Sequence, residues 1–432
     1  MTEPRSRPSA AGGEERPMPR WGALGYPNYR LFWIANVARV FGLQFRFIGA
    51  GWLTHLLDPS PVWLGVVGVA AAVPTIVLSV PAGVIADRFD NRKVMVWSQA
   101  LSAVCMFVLA GLIWADLANV WIVVIWSVVV GALMALANPA QNAILPRLIE
   151  MRAIASAVAY TSGIWNVMRI VGPAGAGLLI AVIGPKWAFG VTGVAFAVST
   201  LLLMALKLAP LERRSRQQAG GMLGGFRYII REPMFFATIG LSFFTSLFGT
   251  SYIILLPDFT SILNTGPEGF GYMEAAAGVG SLLGTIAIVR LAKGSSGPLM
   301  LGGAAAFGVV IALFAASDTL PMALVFLFLG GVASSIYLNI GMTSLQLQVP
   351  DELRGRVMGI WSMTYFLSAV GGLPAGIAAV WLGTPLAVGL SALSVTAFAV
   401  VLWVAVPALR RMSSDRPAEA TRAPETAERS RA

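Results

Sequence analysis

Residues 62–86 read VWLGVVGVAAAVPTIVLSVPAGVIA, and residues 87–93 read DRFDNRK. The first stretch carries no charge, and five charges are then crowded into the next seven positions. At about 1.5 Å of rise per residue, such a run is long enough to cross the ~30 Å hydrocarbon layer as a helix. It is apolar on every face and does not alternate, so it reads as a helix rather than a barrel strand. The charged segment that ends it is a connection on one side of the bilayer, and residues 94–115 start the next run.

The rest of the chain repeats this pattern. Twelve apolar runs are expected to span: 31–57, 62–86, 94–115, 118–143, 155–184, 187–209, 236–256, 271–292, 298–317, 320–346, 357–382 and 385–407. The composition agrees, since 57% of the 432 residues are hydrophobic and 12% are charged. Soluble domains carry roughly twice that charge. The N-terminus is polar and charged up to Arg20, so no cleaved signal peptide is expected, and insertion is expected to begin at the first spanning helix.

A net charge of +10 raises the question of nucleic acid, and the placement of the charges answers it. With both termini on the cytoplasmic side, all but four of the 30 Lys and Arg residues fall on inner segments and adjoining helix ends. Lys186 lies in an outer connection, while Arg39, Arg46 and Arg169 lie inside helices. The basic excess is therefore a topology signal and not a nucleic-acid surface. A multi-pass membrane protein is expected, with both termini cytoplasmic.

The longest inner connection follows the sixth helix and holds Arg213, Arg214, Arg216, Arg227 and Arg231. It divides the chain into a bundle at 29–209, a linker at 210–235 and a second bundle at 236–408. The tails 1–28 and 409–432 are rich in Pro, Ala, Glu and Arg and read as disordered. An internal repeat supports the division. Leu145-Pro146-Arg147 enters the fifth helix and Val349-Pro350-Asp351 enters the eleventh. Further along those helices stand Gly172-Pro173-Ala174-Gly175 and Leu373-Pro374-Ala375-Gly376. The fold class is all-α: twelve transmembrane helices in two six-helix pseudo-repeats around a central cavity. Two halves related in this way are a transporter architecture with a site near mid-membrane.

The loop Gly83-Val-Ile-Ala-Asp87-Arg88-Phe-Asp-Asn-Arg92-Lys93 resembles the signature loop of the major facilitator superfamily, in motif and in position between helices two and three. Other elements are similar to the enterobactin-exporter-like group of bacterial facilitators. They are Asn28-Tyr29-Arg30-Leu31-Phe32-Trp33, Asn138-Pro139-Ala140, Gly225-Phe226-Arg227-Tyr228, Arg231-Glu232-Pro233 and Arg354-Gly355-Arg356-Val357-Met358-Gly359. The resemblance spans residues 28 to 407 and implies proton-driven efflux by alternating access. It also implies that Asp87 faces the start of helix eleven, near Arg356 to Met358, and locks the cytoplasmic side in the outward-open state. Arg88, Arg92 and Lys93 would then pair with acids across that gate. Gly83 would let two helices approach closely. Position 90 is Asp where the family pattern often has Gly. The run Gly172-Pro173-Ala174-Gly175-Ala176-Gly177 looks like the helix-five motif of family antiporters, with Ala176 in place of one usual glycine. A generic packing kink is the other reading of that run. Many proton-driven exporters of the family carry an arginine in helix four; here Val120 to Pro139 contains no basic residue.

Charges inside the membrane are costly and usually face the bundle interior or a water-filled cavity. Arg39 and Arg46 are one heptad apart and share a face, with Asn36 on the same stripe. Arg169 shares a face with Asn166 and Pro173, and Glu274 lies a few residues into helix eight. Glu274 is expected to be a coupling or substrate carboxylate, with Arg39, Arg46 and Arg169 among its partners. Alternatively the arginines pair with helix-end carbonyls or snorkel to an interface. Phe243, Phe244, Tyr337, Asn339, Trp361 and Tyr365 either line a cavity for an amphipathic compound or pack against neighbouring helices. His55 closes the first helix, as an interface residue or as a proton relay.

The single Cys105 excludes an internal disulfide, and with one His no Cys/His metal cluster is available. No Gly-rich phosphate loop followed by Lys and Ser/Thr occurs, which argues against ATP-driven pumping. The expected protein is not an enzyme and takes no cofactor or metal. Its expected partners are a small-molecule substrate, protons and membrane lipid, and it is expected to be a monomer. The function read here is secondary active export of a siderophore, drug or metabolite. A lipid flippase or nutrient importer on the same fold, and a non-transporting membrane sensor or scaffold, stand as alternatives.

Overall fold

Proline opens many of the helices, where its missing N–H costs nothing because the first-turn N–H groups have no intrahelical acceptor. The computed structural model describes residues 20–207, 222–291 and 296–410. It contains α1 (Pro27–Leu57), α2 (Pro61–Arg88), α3 (Asn91–Trp114), α4 (Val120–Ile144), α5 (Ile154–Ile183) and α6 (Pro185–Ala205). The second six are α7 (Pro233–Ile262), α8 (Pro267–Leu291), α9 (Ser296–Ala315), α10 (Leu320–Gln348), α11 (Leu353–Leu382) and α12 (Thr384–Ala405). All twelve are long and apolar enough to span, and no strand occurs among the described residues.

The two halves use the same devices. Gly184 at φ 90° ends α5 and Gly383 at φ 82° ends α11, each in a backbone conformation that glycine adopts without strain. Moving six helices along the chain maps the packing of α2 on α4 onto that of α8 on α10, and α3 on α6 onto α9 on α12. The seams between halves obey the same operation, with α2 against α11 and α5 against α8. The protein is thus an all-α membrane protein of two six-helix pseudo-repeats.

The outward faces carry apolar side chains such as Val77, Trp97, Ile125 and Leu390, which suit lipid rather than water. Trp63 with Trp121, and Trp114 with Trp187, cluster at the helix ends opposite the chain termini. Lys186 lies 4.9 Å from the Trp114 ring there. Aromatic residues of this kind favour the headgroup level.

Four local features differ from the sequence expectation. Residues 20–28, expected as part of a disordered tail, form a turn at Gly22–Gly25 and the first residues of α1; the Ala23 amide donates to Ser156 Oγ at 3.1 Å. The linker contains a helix, Met222–Arg231, whose Tyr228 and Ile229 pack against Leu353, Val357 and Trp361 at the start of α11. Helix α7 is interrupted by a π turn at Thr245–Gly249. Helix α11 is interrupted at Met363. Hydroxyls bonding back to carbonyls accompany both interruptions. Thr250 donates to Ser246 at 2.8 Å, and Ser362 donates to Gly359 at 2.7 Å. Such bonds compete with the helix ladder. The expected tails before residue 20 and after 410, and linker residues 208–221, lie outside the described residues.

Gly83 does not mediate the close approach expected of it. A Cβ placed there would meet nothing within 4 Å. The approach of α2 to α11 lies at the other end of the helix, where a Cβ on Gly65 would stand 2.6 Å from Leu373 Cα and 2.7 Å from the Gly372 oxygen. Both neighbours are backbone atoms and cannot rotate away. Gly65→Ala should therefore cost about 1–3 kcal/mol, whereas Gly83→Ala should gain about 0.5–1 kcal/mol from helix propensity. Thermal unfolding in detergent reads the contrast, and equal midpoints for the two variants would refute this placement of the seam.

Candidate functional site

Between the halves lies a cavity of about 250 Å³. Helices α1, α2 and α4 wall it on one side, and α7, α8 and α11 on the other. Its surface is mostly apolar, with Phe47, Val67, Met134, Ile254, Phe270 and Phe366 among the walls. Thr54, Thr75, Ser127, Asn138 and Tyr365 supply polar groups, and Arg46 is the one charged side chain of the lining. Tyr365 is 63% exposed and therefore presents its ring to open space.

Two turns along α1 from Arg46, Arg39 is 2% exposed. Its Nε and Nη2 donate to Asn36 Oδ1 at 3.2 and 3.1 Å. Gln141 on α4 donates to the same oxygen at 2.9 Å. The Trp165 ring from α5 lies over the guanidinium, 6.0 Å from centroid to Cζ. No acid completes this cluster, and Arg39 Nη1 and Asn36 Nδ2 have no acceptor among the described residues. Asn36 and Arg39 thus meet as the stripe on α1 predicts, while Gln141 and Trp165 join from distant sequence positions.

The second polar group lies at the seam of α5 and α8. Arg169 Nη1 donates to Ser281 Oγ at 3.3 Å. Glu274 is the one buried acid among the described residues, 9% exposed, with Oε1 lacking a partner. Arg169 is near enough to act electrostatically on Glu274, Tyr252 and Tyr337, but no ion pair within 4.0 Å joins it to Glu274. Arg39 and Arg46 are not brought to Glu274; among the described residues Arg169 is the cation that bears on that carboxyl. Asn339 on α10 donates to Thr285 at 3.3 Å and to Ser335 O at 2.8 Å. Asn166 bonds within its own helix, to Ser162 O at 2.9 Å.

The aromatic candidates divide. Tyr365 lines the cavity. Tyr337 and Trp361 are 1% and 2% exposed and pack in apolar clusters. Phe244 stacks on Phe398 at 4.4 Å, and Phe243 packs beside Trp361.

In the helix-five run, Pro173 lies inside an unbroken α5. A Cβ on Gly172 would be 2.5 Å from Gln44 Cβ, and one on Gly175 would be 3.5 Å from the Phe45 ring, both on α1. A Cβ on Gly177 would be 2.5 Å from the Pro267 oxygen of α8. One motif therefore holds α5 close to its own half and to the other.

At the side bearing the chain termini, Asp87 and Arg88 are exposed and form no hydrogen bond or ion pair among the described residues. Arg92 instead caps α6, with Nε donating to Leu203 O at 3.0 Å and Nη2 to Met204 O. Asp90 caps α3 by accepting from the Arg92 amide at 2.9 Å. The Asp at this position therefore supplies a cap where a glycine would not.

On the opposite side the halves are tied together. His55 Nε2 of α1 is 3.1 Å from Ser261 Oγ of α7, and Nδ1 is 3.9 Å from Asp258 Oδ1. The Thr384 hydroxyl of α12 donates to Asp258. Asp258→Asn should weaken this tie by about 0.2–1 kcal/mol, the range for partly exposed ion pairs. Spin labels at the exposed positions Leu56 and Leu386, in a Cys105→Ser background, should then report a larger open fraction on that side. An unchanged distance distribution would mean that the tie does not hold the side closed.

A family model described as transmembrane secretion effector, of the major facilitator type, matches residues 19–429. The staphyloferrin A transporter of Staphylococcus aureus is 27% identical over 252 residues, which is 57% of this chain and 63% of that protein, so the match spans less than two thirds of its length. The enterobactin exporter EntS of Escherichia coli is 25% identical over 285 residues, covering 65% and 68%. An uncharacterized transporter of the same type, YfiS of Bacillus subtilis, is 29% identical over 362 residues, covering 77% and 81%. Among solved structures, the nucleoside transporter NupG aligns over 90% of this chain and all of its own, at TM-score 0.70 and 15% identity, which speaks for the fold alone. The match over nearly the whole chain shows that the chain belongs to the transmembrane secretion effector family of the major facilitator superfamily.

Proposed function

We propose that this protein exports a small amphipathic organic compound from the cytoplasm by alternating access, driven by proton entry. The cavity between the halves carries this reading: it has apolar walls, a few polar groups and one cation, as a site for an amphipathic solute requires. The α2–α11 and α5–α8 seams and the His55–Asp258 tie close its non-terminal side, while Asp87 on the terminal side is free. The Lys and Arg distribution makes the terminal side cytoplasmic. This arrangement is then an inward-facing one, ready to load from the cytoplasm. Export is favoured by the similarity to the enterobactin exporter EntS. A siderophore is a natural candidate, since two of the relatives are named for one.

Coupling is assigned to Glu274 and Arg169, because α4 from Val120 to Pro139 offers no basic residue. Together they place a titratable acid and a cation at a seam that alternating access must rearrange.

The test is proton flux in proteoliposomes holding the purified protein, with hydrophobic cations, siderophores and lipids added one at a time. Substrate-induced proton movement supports coupled transport. Substrate movement down its own gradient with no proton response overturns the coupling. A reporter fused after Ala432 should be active only in the cytoplasm, and periplasmic activity would invert the assignment of sides.

A further inference from the structure

We infer that the cavity selects an organic anion, and that the guanidinium of Arg46 receives its carboxylate. The inference rests on reading the cavity as the substrate site and adds the charge of the ligand. Arg46 is the sole charge in the lining. Its Nε is buried without an acceptor, and its guanidinium makes no hydrogen bond, ion pair or ring contact with any described residue. No acid among the described residues lies within ion-pair distance of it. Arg39, two turns away on the same helix, likewise lacks an acid.

Arg46 is half-buried, and a cation partly withdrawn from water without a counter-charge carries a desolvation cost. That cost falls when a ligand brings the missing negative charge. A guanidinium offers paired donors that match the two oxygens of a carboxylate. Asn138 and Tyr365 stand on the same lining as further hydrogen-bonding groups. An ammonium ligand meets the opposite situation, since no acid lines the cavity. The apolar walls then take the body of the ligand.

The experiment uses three probes that share one apolar body: naphthylacetate, naphthylacetamide and naphthylethylamine. Calorimetric titration of the full chain in detergent, at neutral pH, gives the three affinities for the wild type, Arg46→Gln and Arg46→Lys. The wild type should bind the carboxylate more than about tenfold tighter than the amide, with the amine weakest. Arg46→Gln should lower the carboxylate to the level of the amide while leaving amide affinity in place, which also shows that the variant is folded. Arg46→Lys should keep part of the preference, because the charge remains and the fork geometry is lost. If Arg46→Gln does not fold, the graded loss in Arg46→Lys decides the question. Equal affinities for all three probes, preference for the amide or amine, absence of carboxylate binding, or an unchanged preference in both variants would overturn the inference. Selective carboxylate binding by a protein that moves no solute in proteoliposomes would sink the transport reading and leave the anion site standing.

Discussion

Asp87→Asn is expected to abolish most transport while leaving insertion and folding intact. In the structure Asp87 is exposed at the end of α2 and forms no hydrogen bond or ion pair among the described residues, so its replacement breaks no such bond there. On the gate reading proposed for this loop, its partner belongs to the other state. When the ends of the halves on the terminal side close, Asp87 is proposed to meet the start of α11, at the positive end of its dipole and near Arg356. A charge-assisted hydrogen bond there is worth about 1.5–3 kcal/mol. Losing it shifts the balance toward the inward-facing state by roughly 10- to 100-fold. Flux in proteoliposomes should fall accordingly, and spin labels across the cytoplasmic side should show the open distance enriched. Transport at the wild-type rate would refute the gate. Asp90 is the internal control, because it already caps α3. Its replacement by Ala should cost about 1 kcal/mol of stability without that conformational shift.

These two acids, three residues apart, show where sequence reasoning reaches and where it stops. The twelve spans were legible because a bilayer demands long apolar runs, and that signal survives without any tertiary knowledge. The halves were legible because the repeat leaves marks at equivalent positions, Leu145-Pro146-Arg147 with Val349-Pro350-Asp351 and Gly172-Pro173-Ala174-Gly175 with Leu373-Pro374-Ala375-Gly376. Breaks inside α7 and α11 were not, since the hydroxyls that bond back to carbonyls beside them leave average hydropathy unchanged. Gly83 misled for a related reason. A small residue permits close approach, but whether a neighbour arrives depends on which end of α2 meets α11 in a given state.

The site was legible in proportion to how local it was. Asn36 and Arg39 are three residues apart, so their bond follows from helix geometry. Their third member, Gln141, lies 105 residues from Asn36, and nothing in the sequence ties it to them. The same holds for His55 and Asp258, whose contact needs both halves docked. Aromatic candidates were the least legible. Tyr365 and Trp361 stand one turn apart on α11, yet the first faces the cavity and the second is buried beneath the helix Met222–Arg231. In a helix apolar on all sides, no polar face marks the direction of the cavity.

Glu274→Gln is expected to uncouple transport from the proton gradient rather than stop it. The side chain lies in α8 near the seam with α5, where a Cβ on Gly278 would stand 2.9 Å from the Arg169 carbonyl oxygen. That seam has to rearrange when the halves rock, so a change of charge at Glu274 acts on the moving part. Among the described residues, Arg169 is the cation that bears on it, from the opposite half. Glutamine keeps the volume and the hydrogen-bonding capacity of the side chain but cannot take up or release a proton. Uphill movement driven by an imposed pH gradient should therefore fall more than about tenfold, a change of over ~1.4 kcal/mol in driving efficiency. Exchange of substrate down its own gradient should continue near the wild-type rate, because the cavity lining is untouched. Arg169→Gln removes the counter-charge and should disturb both kinds of movement. Undiminished gradient-driven accumulation in Glu274→Gln would place the proton site elsewhere. Loss of exchange as well would make Glu274 part of the folding or binding framework, and the separation of the two fluxes is what distinguishes a coupling carboxylate from a structural one.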